Sequence, residues 1–167
     1  VHLVEKSERL GGNLSRVKNT VEGFKPPELL KELEAQIAGN DKVTVYTNST
    51  VKECKGFVGN FKSVINHNGE DVEIEHGAAI IAIGARESKQ DEYLYGKDDK
   101  VHTQLELEEL LEKDANLAKN LKEVVMIQCV GSRIPENPMC SRVCCTEAIK
   151  NAIAVKSANP KANVAIL

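Results

Sequence analysis

Cys129, Cys140, Cys144 and Cys145 are four of the five cysteines in the chain, and they share one short window with the spacing C-x10-C-x3-C-C. Four thiolates so close together match the ligand count of a tetrahedral zinc or a cubane iron–sulfur cluster. Adjacent Cys144 and Cys145 sit awkwardly with zinc, whose ligands usually come in separated C-x2-C pairs. A redox disulfide is the third reading, but no C-x-x-C occurs, and a Cys144–Cys145 bridge would close a strained eight-membered ring. Arg133 and Arg142 add positive charge to the same stretch. Cys54 stands alone and reads as a core or surface thiol.

A second set of residues lies at the start of the chain. Val1-His2-Leu3-Val4-Glu5-Lys6 reads as a strand ending on an acid, followed by Gly11-Gly12. In dinucleotide-binding folds an acidic side chain at a strand tip accepts hydrogen bonds from ribose hydroxyls. Small glycines let the backbone approach a cofactor closely. The bland alternative is a solvated Glu and a turn. No G-x-G-x-x-G precedes it, and neither Gly84-Ala85 nor Gly131-Ser132 substitutes for that motif. Asn13 and Arg16 could touch a pyrophosphate, although loop polarity explains them equally. The four histidines are scattered, and the acidic run 106–112 reads as a solvated helix face.

The elements that must position these residues follow from periodicity. Leu29, Leu30, Leu33 and Ile37 have helical spacing over 28–38, with Pro27 at the entry where a missing N–H is harmless. Residues 42–46 form a strand. Alternation over 50–55, 61–67 and 72–75, punctuated by Gly59-Asn60 and Asn68-Gly69, predicts an antiparallel meander. The unbroken apolar run 78–83 predicts a strand buried on both faces of a parallel sheet. Further helices are expected over 104–111, 117–121 and 141–157, and strands over 124–127 and 163–167. On that reading Cys140 and Cys144 stack on one helix face, with Cys145 about 100° around the axis. Cys129 joins them from a strand tip.

Composition narrows the classes. With 22 basic and 25 acidic residues the net charge is −3, which gives no reason to expect nucleic acid or an anionic membrane as partner. No apolar run approaches the roughly 20 residues of a membrane span. Clustered, unevenly spaced cysteines and no visible signal peptide favour ligation in a reducing cytoplasm. Strands already under way at both ends mark the chain as an expected piece of a longer protein.

The order strand–Glu–GlyGly, helix, strand, meander, apolar run resembles the flavoproteins with two dinucleotide-binding domains. That resemblance implies that the backbone at Val51 faces an adenine. It also implies that Ala82 and Gly84, in Ala82-Ile83-Gly84 where the family carries Ala-Thr-Gly, pass close to the flavin nucleotide. A more specific resemblance covers nearly the whole chain. Gly59-Asn60-Phe61-Lys62, Tyr93-Leu94-Tyr95-Gly96, Thr103-Gln104-Leu105-Glu106-Leu107-Glu108 and above all Ile127-Gln128-Cys129-Val130-Gly131-Ser132-Arg133 … Cys140-Ser141-Arg142-Val143-Cys144-Cys145 resemble the heterodisulfide reductase A-subunit family.

The family implies an α/β, partial Rossmann-like FAD/NAD(P)-binding fold with an antiparallel β-meander. It implies FAD held by Glu5, Lys6, Gly11, Gly12, Val51, Ala82 and Gly84, and a [4Fe–4S] cluster on Cys129, Cys140, Cys144 and Cys145. It also implies a cytoplasmic redox complex with other subunits and ferredoxin-like or disulfide-reducing carriers, and cofactors rather than an acid–base dyad carrying the chemistry. The expected organisation is a partial FAD domain over 1–100, a connecting helical segment over 101–122, and the start of a second nucleotide-binding-like domain over 123–167. In that second domain the cysteine loop stands where a Gly-rich turn usually sits, so ordinary pyridine-nucleotide binding is not expected there. No C-x2-C-x2-C-x3-C-P ferredoxin run occurs. Two rivals remain: a zinc-stabilised four-cysteine scaffold, and a cluster-free NAD(P)H–disulfide oxidoreductase.

Overall fold

The computed structural model describes all 167 residues. The chain divides into two compact units, Val1–Ser15 with Glu28–Ala85, and Arg16–Pro27 with Arg86–Leu167. Three sheets are present, of two, three and two strands.

In the first unit β1 (His2–Val4) pairs in parallel with β2 (Thr44–Tyr46). Between them runs α1 (Pro26–Ala38), entered through two prolines whose fixed φ suits a first turn. This β–α–β connection is what a parallel pair requires, since a tight turn cannot join parallel strands. Leu30 of α1 lies against Gly11, whereas Leu29 and Leu33 remain exposed.

The meander follows as β3 (Ser49–Phe57), β4 (Asn60–His67) and β5 (Glu70–His76), all antiparallel. Asn68 and Gly69 both take positive φ, which a two-residue hairpin loop of matching twist requires. A register shift at Lys52 marks a bulge in β3. Ile65 and Ile74 are buried on one face beside Ser49 and Ser63. Each buried hydroxyl has a histidine partner: Ser49 Oγ lies 2.8 Å from His67 Nδ1, and Ser63 Oγ lies 2.8 Å from His76 Nε2. The rings of Tyr46 and Phe61 pack on these imidazoles. Two of the scattered histidines are thus structural, satisfying polar groups that burial would otherwise strand.

One expected element is corrected. Residues 78–83 join no strand, and Ile80, Ile81 and Ile83 are 92%, 83% and 91% exposed. An apolar sequence becomes a buried strand only when a neighbouring strand takes up its N–H and C=O groups and a second layer covers its side chains. Within the first unit neither β1 nor β2 pairs with this segment.

The second unit is built around β6 (Glu123–Met126), α4 (Cys144–Ala158) and β7 (Asn163–Ile166), with β6 and β7 parallel. Two further helices, α2 (Gln104–Lys113) and α3 (Leu117–Asn120), pack on α4. Leu105, Ala118, Met126, Ala148, Val155 and Ala162 form the core. Asn151, 2% exposed on α4, donates from Nδ2 to the carbonyl and the side-chain oxygen of Gln104, both at 2.9 Å. α2 starts with a capping box between Thr103 and Glu106. Glu87 tightens that start by accepting from Thr103 Oγ1 and from the Leu105 amide.

The expected helix over 141–157 is also corrected at its start. It begins at Cys144, because Arg142 takes φ +61°, a left-handed conformation that cannot sit inside a right-handed helix. Cys140 therefore lies in the turn before the helix, and only Cys144 and Cys145 are helical.

Candidate functional site

Three segments of the second unit deliver the thiols. Cys129 follows the end of β6, Cys140 sits in the turn before α4, and Cys144 and Cys145 are the first two residues of α4. All four are free thiols, with Cys129 and Cys144 half-buried and Cys140 and Cys145 exposed. They share one electrostatic neighbourhood. The Cys145 thiol is pushed up, first by Cys144 beside it, then by burial and the Cys144 hydrogen bond, then by Cys129 and Cys140. Negative charge on the neighbouring sulfur atoms thus opposes ionisation of Cys145, and positive charge among them would relieve it.

Several local features favour that charge balance. No side chain caps α4, so the first amides and the positive end of the dipole are left without a side-chain acceptor at the helix start that carries Cys144 and Cys145. The Arg142 amide donates to Cys140 Sγ at 3.4 Å. Three non-glycine residues of the loop, Cys129, Arg133 and Arg142, have φ near +60°. Such conformations cost of order 1 kcal/mol or more each and concentrate at functional sites. Gly131 takes φ +68°, and the Gln90 side chain occupies the space where a Cβ would project. Asn137 Nδ2 donates back to the Gly131 carbonyl at 2.9 Å and closes the loop.

The thiols are gathered but not drawn into a finished coordination sphere: no three His, Cys, Asp or Glu side chains stand in ligating geometry. The donor chemistry nevertheless fits an iron–sulfur group. Four soft thiolates, an uncapped helix start and a side-chain donor without an acceptor surround one loop. That donor is Gln128 Nε2, which is buried and has no hydrogen-bond partner. Gln128 stood in the sequence only as part of the Ile127-Gln128-Cys129 motif and Gln90 carried no signal, because the role of each comes from packing.

A carboxylate cluster buttresses this unit. Lys150 of α4 pairs with the buried Glu108 at 2.6 Å, and Glu108 Oε1 accepts from the amides of Lys18 and Asn19. Burial pushes the Glu147 carboxyl up, against the lowering influence of Lys150. Burial alone would also raise Glu106. The hydrogen bonds from Lys89, the Thr103 amide and Tyr95 outweigh it and hold that carboxyl at about 2.

In the first unit the residues expected at a nucleotide site are placed as follows. Glu5 directly follows β1, its Oε1 accepts from the Ser7 amide at 2.7 Å, and its carbonyl accepts from the amide of Ser49, two residues before Val51. Lys6 is exposed beside it. Gly11 takes φ +105°, and a Cβ there would press into Leu30 of α1. Gly12 opens a short 3-10 turn. Asn13 Nδ2 donates to the Ala85 carbonyl at 3.0 Å, which brings the glycine turn beside Gly84. Val51 is half-exposed in β3, and Ala82 and Gly84 lie in the exposed segment after the meander.

No protein-family profile matches the chain. Curated relatives do. The chain is 40% identical over 111 residues to the A subunit of H(2)/formate:CoB-CoM heterodisulfide,ferredoxin reductase from Methanococcus maripaludis, covering 58% of this chain and 17% of that protein. It is 39% identical, with the same coverage, to the second iron-sulfur A subunit of CoB–CoM heterodisulfide reductase from Methanopyrus kandleri. It is 37% identical to the A subunit of the ferredoxin/F(420)H(2)-dependent CoB-CoM heterodisulfide reductase from Methanosarcina acetivorans, covering 58% and 14%. Among solved structures, L-proline dehydrogenase from P. horikoshii superposes with a TM-score of 0.55 at 14% identity, covering 100% of this chain and 30% of that one. At that identity the likeness is one of fold. These curated relatives are oxidoreductase subunits by name, and the chain spans only 14% to 17% of their length. Over 58% of its length, the chain is similar to the heterodisulfide reductase A subunits.

Proposed function

We propose that this chain is part of a heterodisulfide-reductase-A-like oxidoreductase that passes electrons between a flavin and an iron–sulfur centre. The observation that carries the reading is the grouping of Cys129, Cys140, Cys144 and Cys145 around the uncapped start of α4, where the Cys145 thiol is pushed up by Cys144 first and also by Cys129 and Cys140. Those four residues would ligate a [4Fe–4S] cluster, which supplies one-electron transfer when bound. The chain's own part is electrostatic and steric. The helix start and the Arg142 amide stabilise negative charge on sulfur.

In the first unit, Glu5 is suited to accept hydrogen bonds from ribose hydroxyls, and Gly11 and Gly12 to admit a pyrophosphate. Lys6, Val51, Ala82 and Gly84 complete the proposed FAD contacts. The proposed organisation is a Rossmann-like FAD-binding part up to about residue 100, a linking helical segment over 101–122, and a second nucleotide-binding-like part from 123 onward. The cysteine loop of that second part stands in place of a phosphate-binding turn. By the names of the relatives, partners would be other subunits of a redox complex with ferredoxin-like or disulfide-reducing carriers. The setting would be the cytoplasm.

The test is anaerobic reconstitution with iron and sulfide, followed by metal analysis and EPR after reduction. About four irons per chain with a reducible cluster signal is the expected result. Zinc without iron, or a thiol pair that cycles to a disulfide without any metal, overturns it.

A further inference from the structure

The second unit contains a polar group that its own fold leaves unused. Gln128 Nε2 is buried and no acceptor in the protein meets it. Such an atom is destabilising, which a leucine or methionine of similar size would avoid. Its position can be derived from the β6–α4–β7 unit. Met126 is 3% exposed whereas Val125 and Ile127 face outward at 61% and 37%. By strand alternation Gln128 shares the inner face with Val124 and Met126.

Val124 lines a recess together with Ala152 and Lys156 of α4. Four residues along the strand, at roughly 3.3 Å each, carry the chain about 13 Å from Val124 to Gln128. The helix of a β–α–β unit runs back along its strand, and about 13 Å of helix is about nine residues at 1.5 Å each. Counting back from Ala152 arrives at Val143 and Cys144. Gln128 is therefore level with the first turn of α4, where the sulfur atoms gather. One N–H to sulfur bond is already made at this site, from the Arg142 amide to Cys140 Sγ.

We propose that the Gln128 side-chain amide donates a hydrogen bond to sulfur at the start of α4 and thereby raises the reduction potential of the iron–sulfur centre held there. This rests on the reading of the four cysteines as cluster ligands. Reduction adds one electron and one negative charge to the centre, and a donor stabilises the more negative state more. Gln128 is a positioning and tuning residue and touches no substrate.

The test compares the reconstituted full chain with its Gln128→Met variant, which keeps length and removes the donor. Iron content, apo-protein melting and an EPR-monitored dithionite titration are read side by side. The expected variant melts at the same temperature or higher without iron, holds the same iron, and titrates lower. A tenfold change in the reduced-to-oxidised ratio reads as about 59 mV for one electron. A second measurement needs no variant: pulsed EPR of the reduced wild type carrying 15N only in glutamine side-chain amides, where a hyperfine coupling is expected. Equal potentials at equal iron content, or no 15N coupling, overturns the proposal and leaves the cluster reading intact. Should the variant lose its cluster, the 15N coupling alone decides. A wild type that takes up no iron overturns both.

Discussion

Gln90 lies across Gly131 so closely that a Cβ on the glycine would fall 2.5 Å from Gln90 Nε2. Gln90 is held in turn by a 2.7 Å hydrogen bond to Ser88. Gly131→Ala must therefore strain a positive φ and displace a packed side chain together. The expected loss is about 1–3 kcal/mol, read as a lower urea midpoint. Adding Gln90→Ala should recover the steric part and leave the backbone part. Full recovery would show that the φ is not strained.

Each cysteine of the proposed site should matter unequally to folding and equally to metal. Cys144→Ala, at a half-buried helix start, is expected to abolish the cluster signal while changing stability of the metal-free chain by less than about 1 kcal/mol. Cys54→Ser, in β3, should leave iron content unchanged. Iron analysis and circular dichroism on the two variants separate ligation from structure.

Glu106 makes the acid limb of stability testable. Its carboxyl is held at about 2 against an ordinary 4.5, so the folded state binds the proton more weakly than the unfolded one. The stabilisation is full above about pH 4.5 and is lost as pH falls toward 2. The shift corresponds to at most about 3 kcal/mol, and the 55% exposure of the partner Lys89 reduces it to about 1–2 kcal/mol through solvent screening. Glu106→Gln should lose that amount at pH 7 and flatten the stability curve between pH 4.5 and 2. An unchanged curve would locate the acid sensitivity elsewhere.

The Lys150–Glu108 pair is far less exposed, at 11% and 6%. Lys150→Met leaves Glu108 buried with only two backbone amides as partners, and about 3 kcal/mol of destabilisation is expected. Lys150→Met with Glu108→Gln should cost less than the single change. Chemical denaturation of the three proteins checks the order.

For the first unit, Glu5→Ala is expected to weaken FAD binding about tenfold, near the value of one charged hydrogen bond, about 1.4 kcal/mol. Its contact within the protein is the Ser7 amide, so the fold should barely respond. Fluorescence quenching of added FAD measures the loss, and an unaltered affinity would remove Glu5 from the site.

Local chemistry made much of this legible in the sequence. Gly59-Asn60 and Asn68-Gly69 placed both hairpins, and the leucine spacing placed α1 and α2. The Thr103-Gln104-Leu105-Glu106 spacing held a capping box as well, starting α2 at the expected position. Cysteine spacing alone marked the four thiols as a candidate ligand set. What was hidden depends on contacts distant in sequence. The left-handed Arg142 moved the start of α4 past Cys140, and no pattern in Ser141-Arg142-Val143 announces it. The run 78–83 has the composition of a buried strand, but burial is a property of neighbours rather than of the segment. Gln128 and Gln90 reveal their surroundings only once β6, α4 and the loop are folded.

The segment Ala78-Ala79-Ile80-Ile81-Ala82-Ile83 has a consequence for handling the chain in solution. It has no charge and no proline, half of it is β-branched, and its isoleucines are almost fully exposed. Short stretches of this kind stack between molecules into dry, cross-β zippers. The isolated chain should therefore self-associate with a steep dependence on concentration, seeded from this hexapeptide. A lysine at Ile81 would act as a gatekeeper, delaying thioflavin-positive assembly without disturbing either folded unit.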